Sequence, residues 1–228
     1  STMKIDRGNL IQDKEELKQL KASDRYDPSA PNGISKRWLP GSEAATFVSQ
    51  GDEHSADGSV NESSENAIAQ MQKRMKKMDA LKASLPEPEL FMKEKSGNMS
   101  VVQNRNSEKI DILLVGWGST KSVILDVLQN TEYKKDGVPL TVAYLHFTTL
   151  WPLRTELFEE LTTKTRQTIL IEGNFTGQLG TLLRQETGIL ISNRILKYDG
   201  RPFFRDELAK KIDAIIMEHE SPQVGDLL

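Results

Sequence analysis

The chain has 228 residues, of which 37% are hydrophobic, and its 30 basic and 33 acidic side chains give a formal net charge of −3. This balance does not indicate general binding of nucleic acid, and the absence of cysteine excludes disulfides, thiolate metal sites and any iron–sulfur cluster held by this chain. No apolar run approaches the roughly 18 residues of a membrane span and no signal peptide opens the chain, so we predict a cytoplasmic protein without membrane contact.

Residues 1–110 are predicted to form a polar lead segment of loop and helix. Residues 13–21 (DKEELKQLK) are typical of a short polar helix, and the Gly, Pro and Ser residues within 26–56 favour extended loop. A longer amphipathic helix is predicted near 65–84, and we expect its apolar face to pack on the second half of the chain, although methionines also suit an adaptable groove for a partner. That face consists of Ile68, Met71, Met75, Met78 and Leu81.

Residues 111–228 alternate between strand-like and helix-like periodicity. Short connections between the elements indicate right-handed crossovers, and therefore an α/β domain with an open, mostly parallel sheet between two helical layers. The predicted strands cover 111–115, 140–147, 168–172 and 189–196.

The carboxyl ends of parallel strands meet at one edge of the sheet, where ligands gather in open α/β folds. The loop VGWGSTKS follows a strand and opens a helix, so it favours either anion binding or only a tight turn. His146 is expected to be packed rather than catalytic, and Glu172 is expected to act either as a base or as a helix cap. The candidate residues at this edge, which we expect to build an interface, are Gly116, Gly118, Ser119, Thr120, Lys121, His146, Glu172, Asn174, Thr176, Gly177 and Gln178.

Three further stretches carry ionisable side chains. Asp52, Glu53, His54 and Asp57 lie within one loop, which indicates a site for a metal ion or a carboxylate ligand, or an ordinary surface loop; without further spaced His or Cys it does not predict zinc. Asp199 and Arg201 follow the fourth strand, in a turn or a docking contact, and His219 is predicted to be solvated.

Four motifs in the second half together closely resemble the carboxyl-terminal domain of the α subunit of 2-oxoacid:ferredoxin oxidoreductases, above all of the 2-oxoglutarate type. They are LLVGWGSTKS (113–122), YLHFTTLWPL (144–153), EGNFTGQLGTLLRQETG (172–188) and ILKYDGRPF (195–203). The first half resembles the linker of that family in GISKRWLPG (33–41), GDEHSADGSVNE (51–62) and KRMKKMDALKASLPEPEL (73–90), so the resemblance covers about residues 5–217. Ser122 and the stretch Gly173-Asn174-Phe175 depart mildly from the family pattern.

The resemblance implies a fold similar to the transketolase carboxyl-terminal domain. It implies a complex that decarboxylates a 2-oxoacid with thiamine diphosphate and Mg²⁺, passes electrons through iron–sulfur clusters to ferredoxin, and forms an acyl-coenzyme A. A pyrimidine-binding domain is expected before residue 5, and a β subunit is expected to hold the diphosphate and the clusters. This chain is then expected to hold no catalytic residue, to support assembly, to form part of the substrate-pocket wall at Asp52–Asp57, and to be inactive alone.

Two other functions fit the same sequence. The VGWGST loop suits a free-standing domain that binds a nucleotide or coenzyme A. The sheet edge and the terminal helix also suit a scaffold that holds a homodimer.

Overall fold

The computed structural model describes residues 7–94, 97–102 and 109–218. The chain divides into two compact units, Ser1–Ser84 and Leu85–Leu228. His219 lies outside the described residues. Within those residues, no helix combines the length and the apolar character that a membrane crossing needs.

The first unit contains two α-helices, α1 (Lys14–Gln19) and α2 (Ser64–Ser84), and short 3-10 turns at Ala22–Arg25 and Pro31–Gly33. Asp13 caps α1, because its side chain accepts hydrogen bonds from the backbone N–H groups of Glu15 and Glu16. A small core surrounds α1, so this part of the predicted lead segment is not only loop but has an apolar cluster of its own. That core contains Leu17, Leu20 and Trp38, with Ile11, Ala44 and Phe47 packed against it.

The second 3-10 turn lies directly against α2 through Gly33. This glycine has a φ of 68°, and a Cβ at its position would meet the carbonyl oxygen of Lys73 and, at 2.8 Å, the backbone nitrogen of Lys77. Glycine is therefore required here both for its left-handed backbone and for the close approach of two backbones.

Within the first unit the apolar stripe of α2 is largely exposed, and its packing on the second half of the chain stays a prediction. The helix instead buries Gln70 and Lys73, and the Gln70 side chain donates to the carbonyl oxygen of Tyr26 at 3.3 Å. The helix itself matches the prediction closely, and the face that it buries within the first unit is the polar one. The exposed residues of the stripe are Ile68 (58%), Met71 (53%), Met75 (51%) and Leu81 (42%).

The second unit is built on a six-stranded sheet. Its elements in chain order are β1 (Glu89–Lys93), β2 (Met99–Val101), β3 (Ile112–Trp117), α3 (Thr120–Asn130), β4 (Lys134–Lys135), β5 (Val138–Pro139), β6 (Val142–Phe147), α4 (Glu156–Lys164), β7 (Gln167–Glu172), α5 (Gln178–Thr187), β8 (Asn193–Leu196) and α6 (Arg205–Glu218). The strand order is β2-β1-β6-β3-β7-β8, and β4 and β5 form a separate two-stranded hairpin. The pairs β6–β3, β3–β7 and β7–β8 are parallel, whereas β1 pairs antiparallel with both β2 and β6. The predicted α/β class with a mostly parallel sheet is confirmed.

Alternate residues of the central strands face two separate apolar cores. On one face Leu113, Leu145 and Leu170 pack with buried residues of α4 and α5. On the other face Ile112 and Ile169 pack with buried residues of α3 and α6. The sheet is therefore covered on both sides, which gives the expected three layers and explains its nearly continuous apolar strands.

Two features of this unit differ from the sequence prediction. The change-over between units follows Ser84 and not residue 110, because β1 joins the sheet through the register Glu89↔His146 to Phe91↔Tyr144. The β4–β5 hairpin turns at Asp136-Gly137, both with positive φ, as Asp-Gly turns between short strands do.

Candidate functional site

The carboxyl ends of β3, β6, β7 and β8 lie at one edge of the sheet, as predicted, because these four strands are mutually parallel. This edge brings together the loop after Trp117, the end of β6 at His146, Glu172 with the loop behind it, and the turn after Leu196.

Glu172 is completely buried and its carboxylate accepts four hydrogen bonds. Its Oε2 accepts from the Trp117 indole N–H at 2.9 Å, the Asn174 amide at 2.7 Å and the Leu179 backbone N–H at 3.1 Å, and its Oε1 accepts from the Gly180 backbone N–H at 3.1 Å. Leu179 and Gly180 belong to the first turn of α5, where a carboxylate is favoured by the helix dipole. Of the two roles predicted for Glu172, the contacts therefore support that of a helix cap.

The rest of the loop between β7 and α5 is held by Asn174. Its side-chain oxygen accepts from the backbone N–H groups of Gly177 (2.7 Å) and Gln178 (3.2 Å), while Gly177 takes the left-handed conformation as N-cap of α5. Thr176 and the Gln178 side chain face solvent. The Asn174 and Glu172 contacts together make this loop a rigid part of the edge.

The glycine loop after β3 forms a tight strand-to-helix turn. A Cβ on Gly116 would lie 3.0 Å from the Ile171 carbonyl oxygen and 3.1 Å from Thr120 Oγ1, and Gly118 has a φ of 60°. Thr120 donates its hydroxyl to the Trp117 carbonyl at 2.7 Å. Ser119, the N-cap of α3, makes no side-chain capping bond, and no acidic residue lies in the first turn of α3. The turn is thus structurally required, and the start of α3 stays open to an anion.

His146 is buried within a polar cluster rather than exposed at the edge. Its Nδ1 is 2.8 Å from the Tyr144 hydroxyl, and Lys121 beside it forms a 2.6 Å ion pair with Glu89. Burial lowers the pKa of His146, the charge of Lys121 lowers it further, and Glu89 opposes both effects. Burial also raises the pKa of the Tyr144 hydroxyl. A neutral imidazole bonded to a neutral phenol fits the predicted packing role.

A cavity of about 720 Å³ opens at the edge between the start of α3 and the turn after β8. Lys197 is largely buried there and forms 3.0 Å ion pairs with Asp199 and Glu207, which raise its pKa. The Asp199 carboxylate also accepts from the Arg201 backbone N–H at 3.1 Å, so both predicted residues belong to the turn. The polar lining consists of Ser119, Thr120, Ser122, Lys197, Tyr198 and Arg201.

The loop of the first unit that carries Asp52, Glu53, His54 and Asp57 is held mainly by local bonds. Glu53 forms a 2.6 Å ion pair with Arg74 of α2, and this hydrogen bond lowers the pKa of Glu53. Asp57 accepts from the backbone N–H (3.0 Å) and the hydroxyl (2.6 Å) of Ser59, which lower its pKa. The Asp52 side chain is exposed.

The predicted carboxylate partner of His54 is replaced by a backbone carbonyl. His54 Nδ1 lies 2.9 Å from the carbonyl oxygen of Ser55, which can only accept, so Nδ1 donates. The imidazole ring rests on Tyr26, with 4.4 Å between ring centres. This orients His54 without a charge relay. In the described part of the chain, no three His, Asp or Glu residues are grouped as a metal ion requires.

The sequence analysis did not identify two residues of this region as candidate site residues. Lys73 of α2 is 9% exposed, and Arg25 lies over the rings of Tyr26 and Phe47. The run KRMKKM is typical of a solvated helix face, so no local signal distinguishes Lys73 from its neighbours.

The sequence of this chain is similar to that of several curated proteins. It is 28% identical over 219 residues to the alpha subunit of 2-oxoacid:ferredoxin oxidoreductase 1 of Sulfurisphaera tokodaii (96% of this chain, 31% of that protein). It is 29% identical over 222 residues to the alpha subunit of the Saccharolobus solfataricus enzyme (96% and 31%). It is 30% identical over 216 residues to the alpha subunit of oxidoreductase 1 of Aeropyrum pernix (94% and 30%). The chain is similar to the alpha subunits of 2-oxoacid:ferredoxin oxidoreductases.

The similarity covers nearly all of this chain, but the chain spans only about a third of the length of these curated relatives. No family model matches it. Its fold is similar to that of 2-oxoglutarate:ferredoxin oxidoreductase from Magnetococcus marinus, a structure with 2-oxoglutarate, coenzyme A and succinyl-coenzyme A bound. The TM-score is 0.67 at 22% identity, over 84% of this chain and 30% of that one.

Proposed function

We propose that this chain is the carboxyl-terminal part of the alpha subunit of a 2-oxoacid:ferredoxin oxidoreductase. The supporting observation is that similarity to three such alpha subunits runs over 94–96% of the chain. In this role the three-layer unit 85–228 provides a rigid assembly surface, and the loop around His54 forms part of the wall of the 2-oxoacid pocket.

The reaction centre of the proposed complex lies in its other parts. Thiamine diphosphate would supply the carbanion chemistry for decarboxylation, with a Mg²⁺ ion held by its diphosphate and by one or two carboxylates. The chain has no cysteine to ligate an iron–sulfur cluster. The clusters do not fit this chain, and we assign them, together with thiamine diphosphate and its Mg²⁺, to a pyrimidine-binding domain and a β subunit, with ferredoxin as electron acceptor and the cytoplasm as location.

The substrate is proposed to be a dicarboxylic 2-oxoacid such as 2-oxoglutarate. His54 is oriented by Ser55 and Tyr26 with Nδ1 already used, which leaves Nε2 for a ligand. Asp52 is exposed beside it. The loop therefore acts in binding and does not take part in the chemical step.

The test is a kinetic comparison in the complete complex. His54→Ala is expected to raise the KM for 2-oxoglutarate by about tenfold, the loss of one polar contact, with little change in kcat. Asp52→Ala removes a carboxylate that repels the dicarboxylic substrate, so it is expected to lower the KM. Asp79→Ala, an exposed position on α2, is the matched control and should leave both constants unchanged. If both loop variants keep the wild-type KM, the loop has no part in the pocket. If the complete complex reduces ferredoxin with no 2-oxoacid, the proposed function is wrong.

A second candidate function is binding of a nucleotide or coenzyme A by the cavity at the sheet edge. The open start of α3 suits a phosphate, the Arg201 guanidinium adds positive charge, and the exposed ring pair Phe175–Tyr198 (4.7 Å between centres) suits stacking with a base. Calorimetry with coenzyme A and ATP decides it: micromolar binding that Arg201→Ala weakens supports this function, and absence of binding refutes it.

A further inference from the structure

Lys73 is a buried cation without a counter-ion. Its residue is 9% exposed, yet it forms no ion pair and no hydrogen bond with any residue that the structure describes. Its one assigned contact is with the ring of Tyr26, whose centre lies 5.9 Å from Nζ. Nζ is not one of the fully buried polar atoms, so the ammonium group is only partly desolvated and stays accessible to a ligand. A charge held in this way without a counter-ion still carries a free-energy cost.

Arg25 brings a second cation to the same ring. Its guanidinium carbon lies 4.9 Å from the centre of Tyr26 and 4.8 Å from the centre of Phe47. Its Nε is buried and no described group accepts a hydrogen bond from it. Two cations with free donor capacity therefore meet on the Tyr26 ring, next to His54.

The surrounding charges do not neutralise this pair. Of the nearby carboxylates, Glu53 is paired with Arg74. Asp27 accepts from the backbone and the hydroxyl of Ser29 and keeps its negative charge, but it forms no ion pair with Lys73 or Arg25 in the described part of the chain. Burial, followed by the charge of Lys77, lowers the pKa of Lys73 to about 8, with smaller effects of the same sign from Arg25 and Arg74; only Asp27 opposes them. The cluster keeps an excess of positive charge in a partly dry environment.

We propose that Lys73 and Arg25 bind a small dicarboxylate, with the Tyr26 ring as the floor of the site. Guanidinium and ammonium groups are the side chains best suited to carboxylate oxygens, and aromatic rings hold such cations in place. The identity of the ligand as a dicarboxylic 2-oxoacid rests on the proposed function. The site itself is inferred only from the contacts of Lys73, Arg25 and Tyr26 and does not depend on the proposed function.

The test is equilibrium binding to the whole chain, with succinate and 2-oxoglutarate as probes and neutral succinamide as the control ligand. Isotope-labelled lysine in NMR reports the Lys73 titration, and Lys73→Met identifies its signal. A dicarboxylate stabilises the charged ammonium, so the midpoint should rise by about one unit or more, equivalent to about tenfold preference for the charged form. Lys76→Met, at an exposed position of the same helix whose charge does not act on Lys73, should retain wild-type affinity.

Two substitutions at Lys73 distinguish a loss of ligand binding from a loss of the folded structure. Lys73→Met removes a partly desolvated charge that has no counter-ion, so its melting temperature should not fall while succinate affinity falls by about tenfold or more. Lys73→Arg keeps the charge and should retain part of the affinity.

The proposal is overturned if the Lys73 midpoint is the same with and without about 10 mM succinate, or if Lys73→Met binds as tightly as the wild type. In that case the proposed function still stands if the complete complex uses a 2-oxoacid. Conversely, succinate binding by the chain together with an inactive complex would keep this site and remove the proposed function.

Discussion

Replacing Glu172 by Gln tests whether the sheet edge depends on a buried carboxylate. The substitution keeps the shape of the side chain and removes its charge. The carboxylate accepts four N–H donors, and an amide has one acceptor oxygen. If that oxygen takes the place of Oε2, it keeps the hydrogen bonds from Trp117, Asn174 and Leu179. The amide nitrogen, which is a donor, then faces the backbone N–H of Gly180, which is a donor too.

The expected cost follows from these contacts. Three charge-assisted bonds become neutral ones, one buried N–H loses its acceptor, and the favourable charge at the start of α5 is lost. Together these changes should lower the free energy of unfolding by about 3–4 kcal/mol and the melting temperature by about 10 °C. Glu186→Gln, at an exposed position of the same helix, is the matched control and should change stability by less than about 0.5 kcal/mol.

Urea unfolding gives the free energy, and the NMR signal of the Trp117 indole N–H gives a local readout, because this proton lies in the bond to Oε2. The indole signal should move markedly in Glu172→Gln and stay in place in the control. A loss of less than about 1 kcal/mol, with an unchanged indole signal, would show that the carboxylate does not hold the edge together.

Three further predictions concern other contacts. Gly33→Ala should lower the free energy of unfolding by about 3 kcal/mol, since its Cβ meets the backbone of α2. The control Gly41→Ala, at a glycine with a φ of 84° but open space around it, should lower the free energy of unfolding by about 1 kcal/mol. Equal losses of stability in thermal unfolding would contradict the close approach of the two backbones at Gly33. The pKa of His146, followed by NMR, should lie below the usual value of 6.5. The unfolded chain then binds more protons than the folded chain in this range, so the free energy of unfolding should fall as the pH drops through it. If His146→Gln shows the same dependence of stability on pH as the wild type, the coupling is refuted. Tyr133→Phe should raise the free energy of unfolding by about 1 kcal/mol, because no described group accepts a hydrogen bond from the buried Tyr133 hydroxyl. A loss of stability in calorimetry would indicate that this hydroxyl has a hydrogen-bond partner.

Local patterns in the sequence were sufficient for the central strands and the helices between them. Each of these elements carries its own periodicity, and short connections leave few topologies open. They were not sufficient for β1, because the run ELFMK becomes a strand only by pairing with β6, far away in sequence. The hairpin at Asp136-Gly137 could have been predicted, since Asp-Gly is a strong signal for a two-residue hairpin turn, here between Lys134–Lys135 and Val138–Pro139.

Helix α2 shows the limit of periodicity more sharply. Its apolar spacing predicts the helix and its bounds, but which face is buried is decided by what lies beside it. Here the neighbours are the Tyr26 carbonyl and the backbone at Gly33, and both face the side that carries Gln70 and Lys73. For Glu172 the sequence left two roles open, and the donors that separate them come from β3 and α5.

The antiparallel strand β1 has a practical consequence for anyone who shortens this protein. β6 is buried along almost all of its length, and β1 covers the hydrogen-bonding groups on one of its sides. A polypeptide that starts at residue 111 would expose that side as a long, flat, apolar edge, which recruits strands from neighbouring molecules. We therefore expect such a polypeptide to precipitate or to form larger species, whereas one that starts at Leu85 keeps the edge protected.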